Sequence, residues 1–407
     1  MSNDLIRIGL VFSYSLSYYR DIVRGVRVFA ESSPRWTFTP IAPDPDAIQS
    51  IRPLNLNGLI AHIFTRDLAE ALLRLRKPVV NVSGVLPELK IPRVMADHEQ
   101  VGRLAAEHFL DRGLRHFGFF GYTNHAFSKG RELGFRREIE RAGFRVSKYL
   151  SDDPLHPEPT GLWRWDDELQ HWLIGLPRPV GVLCSHDIQG VQLSEVCHRV
   201  GLSVPDDVAL LGVDDDDLFC KLARPPLSSV ALPGERIGFE AARMLKGLLS
   251  HRGRHSRTRM VLLPSPGVMT RHSTSVLAVE DPDVATAVRF IRTHALDPIG
   301  VPDVLEAVAV SRSSLERRFR AILGRGLGEE ICRVRMDKAK ELLSGTEMPI
   351  AQVSKSSGFS EAKHLSTAFR RETGLTPTEF RNFTSGKNSG KKTSILLWRR
   401  RGRRQRR

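Results

Sequence analysis

The sequence predicts two halves of different class: an α/β half of two lobes built on parallel sheets, then an all-α half carrying a double helix-turn-helix. Three observations carry that expectation. Short apolar runs alternate with segments of helical period from Ile6 to Leu249, the pattern of strands each followed by a helix. The stretch Ser151–Trp172, rich in Pro, Asp and Trp, interrupts this alternation and suits a division into two lobes. Later in the chain, Leu315, Phe319 and Gly324 recur 50 residues on as Leu365, Phe369 and Gly374.

Taken in order, Ile6–Phe12 reads as the first strand. Ile22, Val23, Val26, Phe29 and Ala30 then give Tyr19–Ala30 one apolar helical face. Gly58–Ile63 is a strand before a helix over Asp67–Arg76, and Pro78–Val82 and Val94–Ala96 are further strands. The helix Glu99–Arg112 stops at Gly113, Phe117–Gly121 is a strand, and the helix Arg131–Ala142 stops at Gly143. Val180–Cys184, the helix Ile188–Val200, Val208–Val213 and the helix Glu235–Leu249 complete this half. Ligands of open parallel sheets bind beyond the carboxyl ends of the strands. Asp97, Asp187 and Asp214 stand at such ends.

In the second half, Val304, Leu305 and Val308 fit a short helix, Ser311 an N-cap, and Val310 and Leu315 its hydrophobic staple. Leu327–Leu343 reads as one long helix. Ile350, Ala351 and Val353 begin a second unit, Gly358 can turn with φ > 0, and Ser360 stands at an N-cap position. Thr376 and Glu379 have capping-box spacing, with Pro377 at the first helical position. The second helix of one unit exposes Arg312, Ser313, Glu316, Arg317 and Arg320; that of the other exposes Ser360, Lys363, His364, Thr367, Arg370 and Arg371. Such side chains suit phosphates and base edges, and two heads on a helical spacer can enter successive major grooves, roughly 34 Å apart. A basic face on an ordinary bundle would explain one unit but not its repetition.

At 407 residues the chain has room for two or three domains. The net charge of +15 is unevenly placed: residues 1–279 hold 35 Lys and Arg against 31 Asp and Glu, and residues 280–407 hold 26 against 15. Ten of those positive charges lie in Thr384–Arg407 with no acid to oppose them, so this tail is expected to be disordered when free and able to add non-specific affinity for phosphates. Cys184, Cys197, Cys220 and Cys332 show neither CxxC pairing nor metal-ligand spacing, which fits free thiols in a reducing cytosol. The run Asp214–Asp217 invites a metal, but consecutive residues point in different directions, and a turn with one inward Asp fits better. No P-loop, GxGxxG after a strand, GxSxG elbow or HExxH is present, and no cofactor is expected. The N-terminal apolar run, with Asp4 and Arg7 at its start, does not read as a signal peptide, and no stretch has transmembrane length.

Two resemblances sharpen this reading. Residues 283–383, ending GFSEAKHLSTAFRRETGLTPTEFR, resemble the AraC/XylS-type DNA-binding domain, which implies reading roles for the exposed residues of both second helices; His364 stands where an aromatic residue is usual. The segment PVGVLCSHDIQGVQLSEVCHRVGLSVPDDVALLGVDDDDLFCKLARPPLSSV resembles the sensor domains of lactose-repressor-type regulators, which share the periplasmic sugar-binding fold. Most such regulators carry their helix-turn-helix before the sensor. The combination met here, sensor first, is similar to the xylose-operon activators of bacteria. Residues 1–275 would then be a two-lobed, periplasmic-binding-protein-like sensor, residues 276–298 a linker and first helix, 283–383 the DNA-binding domain and 384–407 the tail.

Sugars are held by planar polar groups with aromatic rings against their C–H faces. The sensor resemblance implies that Arg131, Asp187 and Asp214 make such contacts, with Ser13, Tyr14 and Arg20 adding others near the first strand end. It implies a homodimer with a pentose effector, D-xylose first, a double-stranded DNA operator and, for an activator, RNA polymerase as partner; the free thiols and the N-terminal run lead to the expectation of a cytoplasmic protein. A repressor released by another sugar shares every motif. A sugar-handling enzyme with a basic appendage is the rival from another class, and the missing catalytic motifs argue against it.

Overall fold

A computed structural model of the chain describes residues 5–33, 35–152, 167–250, 259–276 and 281–384. The chain divides into two compact units, the first spanning residues up to 108 and 116–274, the second 109–115 and 275 onward.

The first unit holds two sheets. One contains β1 (Ile6–Val11), β2 (Trp36–Ile41), β3 (Gly58–Ala61), β4 (Val79–Asn81), β5 (Arg93–Ala96) and β11 (Met260–Leu263), in the order β11-β5-β4-β3-β1-β2 with every pair parallel. The other contains β6 (His116–Tyr122), β7 (Val146–Ser151), β8 (Val180–Cys184), β9 (Val208–Asp214), β10 (Ser228–Ala231) and β12 (Gly267–Met269), in the order β12-β10-β9-β8-β6-β7. Only the β10–β12 pair is antiparallel. The helices of this unit are α1 (Ser17–Glu31), α2 (Pro45–Ser50), α3 (Arg66–Arg74), α4 (His98–Leu110), α5 (Ala126–Arg141), α6 (Asp167–Ile174), α7 (Asp187–Arg199), α8 (Asp217–Leu222) and α9 (Gly234–Ser250).

Each sheet is buried on its helix-covered faces. Ile8, Leu10, Ile60 and Val80 meet Ile22, Val26 and Phe29 of α1 and Ile237, Ala241 and Leu245 of α9. The other face, with Val11, Leu59 and Ala61, packs on Ile48 of α2 and Leu68 and Leu72 of α3. In the second lobe Val182 and Leu210 pack with Leu173 of α6 and Leu193 of α7. The α1–α9 contact depends on close backbone approach: a Cβ at Gly25 would lie 1.8 Å from the Glu235 carbonyl oxygen.

The chain passes between the lobes three times, from β5 to α4, from β10 to α9, and from β11 to β12. The crossings are tied together. Asp97 N–H donates to the Leu263 carbonyl at 2.8 Å, Ser265 Oγ donates to the Ala231 carbonyl at 2.7 Å, and Ser265 N–H donates to Gln100 Oε1 at 2.8 Å. Such a bundle of short strands makes a hinge rather than a rigid joint.

The expected strands and helices of this half are present, and three kinds of element were not anticipated. The strands β2 and β7 are sheet edges, pair on one side only, and carry Pro40 or exposed polar residues in place of an apolar run. Strands β10 to β12 are short, and α2 and α6 have six and eight residues. Among the described residues, no helix is long and apolar enough to cross a membrane.

The second unit contains α10 (Pro282–His294), α11 (Val301–Val308), α12 (Arg312–Leu323), α13 (Leu327–Gly345), α14 (Ile350–Ser356), α15 (Ala362–Thr373) and α16 (Pro377–Thr384). It has two cores. Val284, Val288 and Ile291 of α10 pack with Val304, Leu315 and Phe319; Val353, Leu365, Phe369 and Phe380 form the other. The long helix α13 serves both, with Leu327 and Ile331 in the first and Met336, Ala339 and Leu343 in the second. Of the basic tail expected over residues 384–407, all but Thr384 lies outside the described residues.

The α1–α9 contact generates a test. Gly25→Ala forces the new methyl group into a backbone carbonyl and should cost about 1–3 kcal/mol or more. Gly247→Ala, on α9 with open space around it, should gain about 0.5–1 kcal/mol. Urea unfolding of both variants measures the difference, and equal midpoints would refute the close packing.

Candidate functional site

The carboxyl ends of β8 and β9 and the N-terminal half of α5 bring three polar side chains together. Arg131 is 2% exposed and lies in the second turn of α5. The sequence reading starts the helix at Arg131; the helix begins at Ala126, so Arg131 is held by a formed helical turn. One guanidinium nitrogen donates to the Ser185 carbonyl, and Nη2 donates to Asp214 Oδ1 at 3.3 Å. Asp214 Oδ2 lies 2.7 Å from His186 Nε2.

His186 is also the N-cap of α7, where its Nδ1 accepts from Ile188 N–H at 3.2 Å. An accepting Nδ1 carries no proton, so Nε2–H is the nitrogen that donates to Asp214. Burial alone would raise the Asp214 pKa; His186 and Arg131 outweigh it and hold the carboxyl below its usual range. The Arg131 guanidinium stands 4.9 Å from the Phe127 ring centroid, and the His98 ring 6.1 Å from the same ring. Burial, then the Arg131 charge, lowers the His98 pKa to about 3, so this imidazole is neutral. Arg131 Nε and His98 Nδ1 are buried without a hydrogen-bond partner among the described residues. Two unsatisfied polar atoms beside an aromatic ring are what a small hydroxylated molecule could satisfy.

Asp187 does something else. The sequence puts it among the ligand contacts, but it is 0% exposed and both oxygens are taken. Oδ1 accepts from Ser229 Oγ at 2.6 Å, and Oδ2 from Asp216 N–H at 2.8 Å and Cys220 Sγ at 3.6 Å. Burial, and after it the Asp214 charge, pushes its carboxyl well above the ordinary range. Asp187 is a keystone of the β9–α8 turn, inside the wall of the site.

Ser13, Tyr14 and Arg20 hold their own loop. Ser13 Oγ meets Ser15 Oγ at 2.9 Å, Tyr14 Oη donates to the Leu10 carbonyl at 3.1 Å, and Arg20 donates to the carbonyls of Tyr14 and Ser15. The four aspartates of the Asp214–Asp217 run diverge. Asp215 pairs with Arg271 at 2.7 Å, Asp216 caps α8, and Asp217 pairs with Lys221 at 2.9 Å. Among the described residues no group could hold a metal ion. Sequence reasoning missed His186 and His98. The signal for His186 was available in its position between a strand and a helix.

On the helical unit, Arg312, Ser313, Arg317 and Arg320 are exposed on α12, and Glu316 is half-buried and paired with Arg312 at 2.9 Å. On α15, Lys363, His364, Thr367, Arg370 and Arg371 are exposed. Ser360 does not cap this helix: Glu361 is the N-cap residue, and Ser360 Oγ meets His364 Nδ1 at 2.8 Å. Ser311 occupies the N-cap of α12 without a side-chain capping bond. The capping box of α16 is formed, with Thr376 N–H donating to Glu379 Oε2 at 2.7 Å. Both turns enter left-handed backbone, at Ala309 (φ 56°) and Gly358 (φ 78°). Arg318 points back to Asp281 and Asp283, whereas Arg317 and Lys363 have no side-chain partner among the described residues.

Residues 106–274 match the family described as periplasmic binding protein-like domain, and residues 304–382 match a helix-turn-helix domain. The chain is 29% identical over 387 residues to the xylose operon regulatory protein of Escherichia coli (strain K12), covering 93% of this chain and 97% of that protein. It is 27% identical to the Haemophilus influenzae protein of the same name, over 94% of this chain and 99% of the relative. A solved structure of a xylose-binding transcription activator superposes with a TM-score of 0.60 at 27% identity, covering 94% of this chain and 99% of the other. A regulator solved with cellobiose, at 23% identity and a TM-score of 0.53, shares the sensor fold over 66% of this chain and 85% of its own.

The keystone role of Asp187 is open to measurement. Asp187→Ala strands the Ser229 hydroxyl and the Asp216 N–H in a dry interior and should cost about 2–4 kcal/mol in urea unfolding. Asp187→Asn, which keeps one acceptor, should recover part of that loss. An Asp187→Ala protein as stable as the parent would remove the keystone.

Proposed function

We propose that this chain is a sugar-responsive, DNA-binding transcription regulator of the xylose-operon kind. The observation that carries the reading is the buried polar fork of Arg131, Asp214 and His186 beside Phe127, in a chain that also presents two basic recognition helices. The effector is a pentose, with D-xylose the first candidate because relatives aligned over nearly the whole chain carry that sugar in their names. Arg131 and Asp214 hold its hydroxyls as donor and acceptor, and the Nε2–H of His186 keeps the Asp214 carboxylate oriented for them. Phe127 lies against an apolar face of the ring, and the unsatisfied Arg131 Nε and His98 Nδ1 gain partners.

The protein works in the cytoplasm as a homodimer, binds its operator through α12 and α15, and as an activator contacts RNA polymerase. Sugar shifts the lobe equilibrium toward the arrangement it prefers, and only that difference in affinity reaches the DNA-binding heads. Nothing in this reading requires turnover of the sugar.

Two predictions follow from the roles assigned. Asp214→Asn and Arg131→Gln should each raise the dissociation constant for D-xylose at least about tenfold, because a charge-assisted hydrogen bond is lost in a dry site. Calorimetric titration against D-xylose, L-arabinose, D-ribose and D-glucose measures this, after circular dichroism has shown both variants folded. Variants that bind like the parent would remove the site. Arg317→Ala should weaken operator binding by about 1–3 kcal/mol while sparing random DNA if it reads a base. Equal losses on both would make it a phosphate contact, and a gel-shift series with both DNAs distinguishes them.

A further inference from the structure

The loop after β9 leaves the sheet in an unusual way. Asp214 and Asp215 both have positive φ, 116° and 58°, a region that non-glycine residues rarely enter. The turn is fixed from below at two successive N–H groups. Asp215 N–H donates to Ser229 Oγ at 2.9 Å and Asp216 N–H to Asp187 Oδ2 at 2.8 Å. Arg271 takes the Asp215 carboxylate at 2.7 Å.

Held in this way, the turn presents two acids in different directions. Asp214 faces Arg131 and His186. Asp216, 4% exposed, divides its carboxylate. Oδ1 accepts from Leu218 and Phe219 N–H groups at 3.0 and 3.4 Å and so caps α8 in its own lobe. Oδ2 accepts from the N–H of Ser17, in the other lobe, at 3.1 Å. Ser17 is the first residue of α1, and that helix lacks a cap of its own, since its N-cap residue is Leu16 with no side-chain capping bond. The free N–H groups and positive dipole end of α1 are therefore met by a carboxylate of the opposite lobe. The next residue of α1, Tyr18, feels the Asp214 charge directly: burial first and that carboxylate second raise its phenol pKa.

We infer that Asp216 is the positioning residue that converts occupancy of the Arg131–Asp214–His186 site into closure of the two lobes. The inference rests on the functional reading above for its ligand, but not for its geometry. Asp214 and Asp216 are joined through one pinned residue, so a ligand that draws on Asp214 also sets where Asp216 meets α1. The contact supplies the cap that α1 lacks only while the lobes are together, which makes closure favourable in itself and leaves sugar to complete it.

The test exploits a proline. Ser17→Pro removes the single donating N–H at the first helical position, where proline is well accommodated, and Leu16 already has the extended backbone (φ −93°, ψ 144°) that a residue before proline needs. Asp216→Asn retains an oxygen for capping α8 but loses the charge. Ser17→Ala keeps the N–H and is the control. Full-length protein in a Cys332→Ser background takes spin labels at Gln49→Cys in the first lobe and His198→Cys in the second, both exposed, while Cys184, Cys197 and Cys220 are buried. Interlobe distances are read by pulsed electron resonance with and without D-xylose.

Without sugar, Ser17→Pro and Asp216→Asn should both show longer and broader distances than the parent and Ser17→Ala. The melting temperature of Ser17→Pro should stay at the parent value, which separates positioning from folding. With sugar, the D-xylose dissociation constant should rise about threefold to tenfold in both variants, and the sugar-dependent change in operator binding should shrink. Sugar-free distances identical to the parent in both variants would overturn the inference. A parent that fails to bind D-xylose would sink the functional reading instead, and the sugar-free distances would still decide the role of Asp216.

Discussion

A charge can be taken out of water only if a partner comes with it, and the sensor is built around that requirement. An unpartnered buried carboxylate or guanidinium costs several kcal/mol. Beside the ends of β8 and β9, Arg131 and Asp214 are buried and partner each other, while Asp187 is buried among Ser229, the Asp216 N–H and Cys220. That is why His186 is both helix cap and hydrogen-bond donor, and why the turn at Asp214 holds a backbone conformation worth about 1–3 kcal/mol of strain. The same economy of partners suits sensing. A ligand rich in hydroxyl groups can take over some of these hydrogen bonds without leaving a charge bare.

The helical unit solves a different problem, the spacing of two heads. Nineteen residues of α13 make a rod about 28 Å long, with one core at each end. Its first turn is anchored by Glu330, whose fully buried side chain accepts from Arg325 Nε at 2.6 Å and from Arg333 at 2.7 and 2.9 Å. Burial by itself would raise the Glu330 pKa; the hydrogen bonds and charges of the two arginines bring it down to about 2. Gly358 adds a second tie, since a Cβ there would lie 2.6 Å from the Ala295 carbonyl of the loop after α10. Two heads joined by a packed rod keep one separation, and DNA with two suitably spaced grooves is the surface that rewards it.

How much of this was legible in the sequence depends on what each residue reports. Buried strands such as Val208–Val213 and the internal register of Leu315 and Leu365 announce themselves, because apolar periodicity is a local property. The edge strands β2 and β7 do not, since a strand paired on one side needs no apolar run. Asp214 was named from its place at a strand end and Arg131 from the sensor resemblance, and the two side chains meet. Asp187 had the same credentials and a different fate, because only the third dimension decides whether a carboxylate at a strand end faces outward or back toward Ser229 and Cys220. His186 was missed and Ser360 misjudged for one reason: a polar residue beside a helix start can cap, or bond sideways, and spacing alone does not choose. The contact of Asp216 with Ser17 joins residues 199 apart and left no trace in the sequence.

The three passages between the lobes also bear on how the chain is made. Neither sheet is a continuous piece of sequence: β11 completes the first only after all but one strand of the second has been synthesised, and β12 then completes the second. As the polypeptide leaves the ribosome, β5 therefore waits with an unpaired edge until Leu263 emerges, and the antiparallel edge of β10 waits until Met269. Exposed strand edges are sites for wrong partners. The sensor should thus finish folding late in translation, with the helical unit following directly behind it. A message cut short before Leu263 would release a protein with two unfinished sheets, more prone to aggregate than to sense anything.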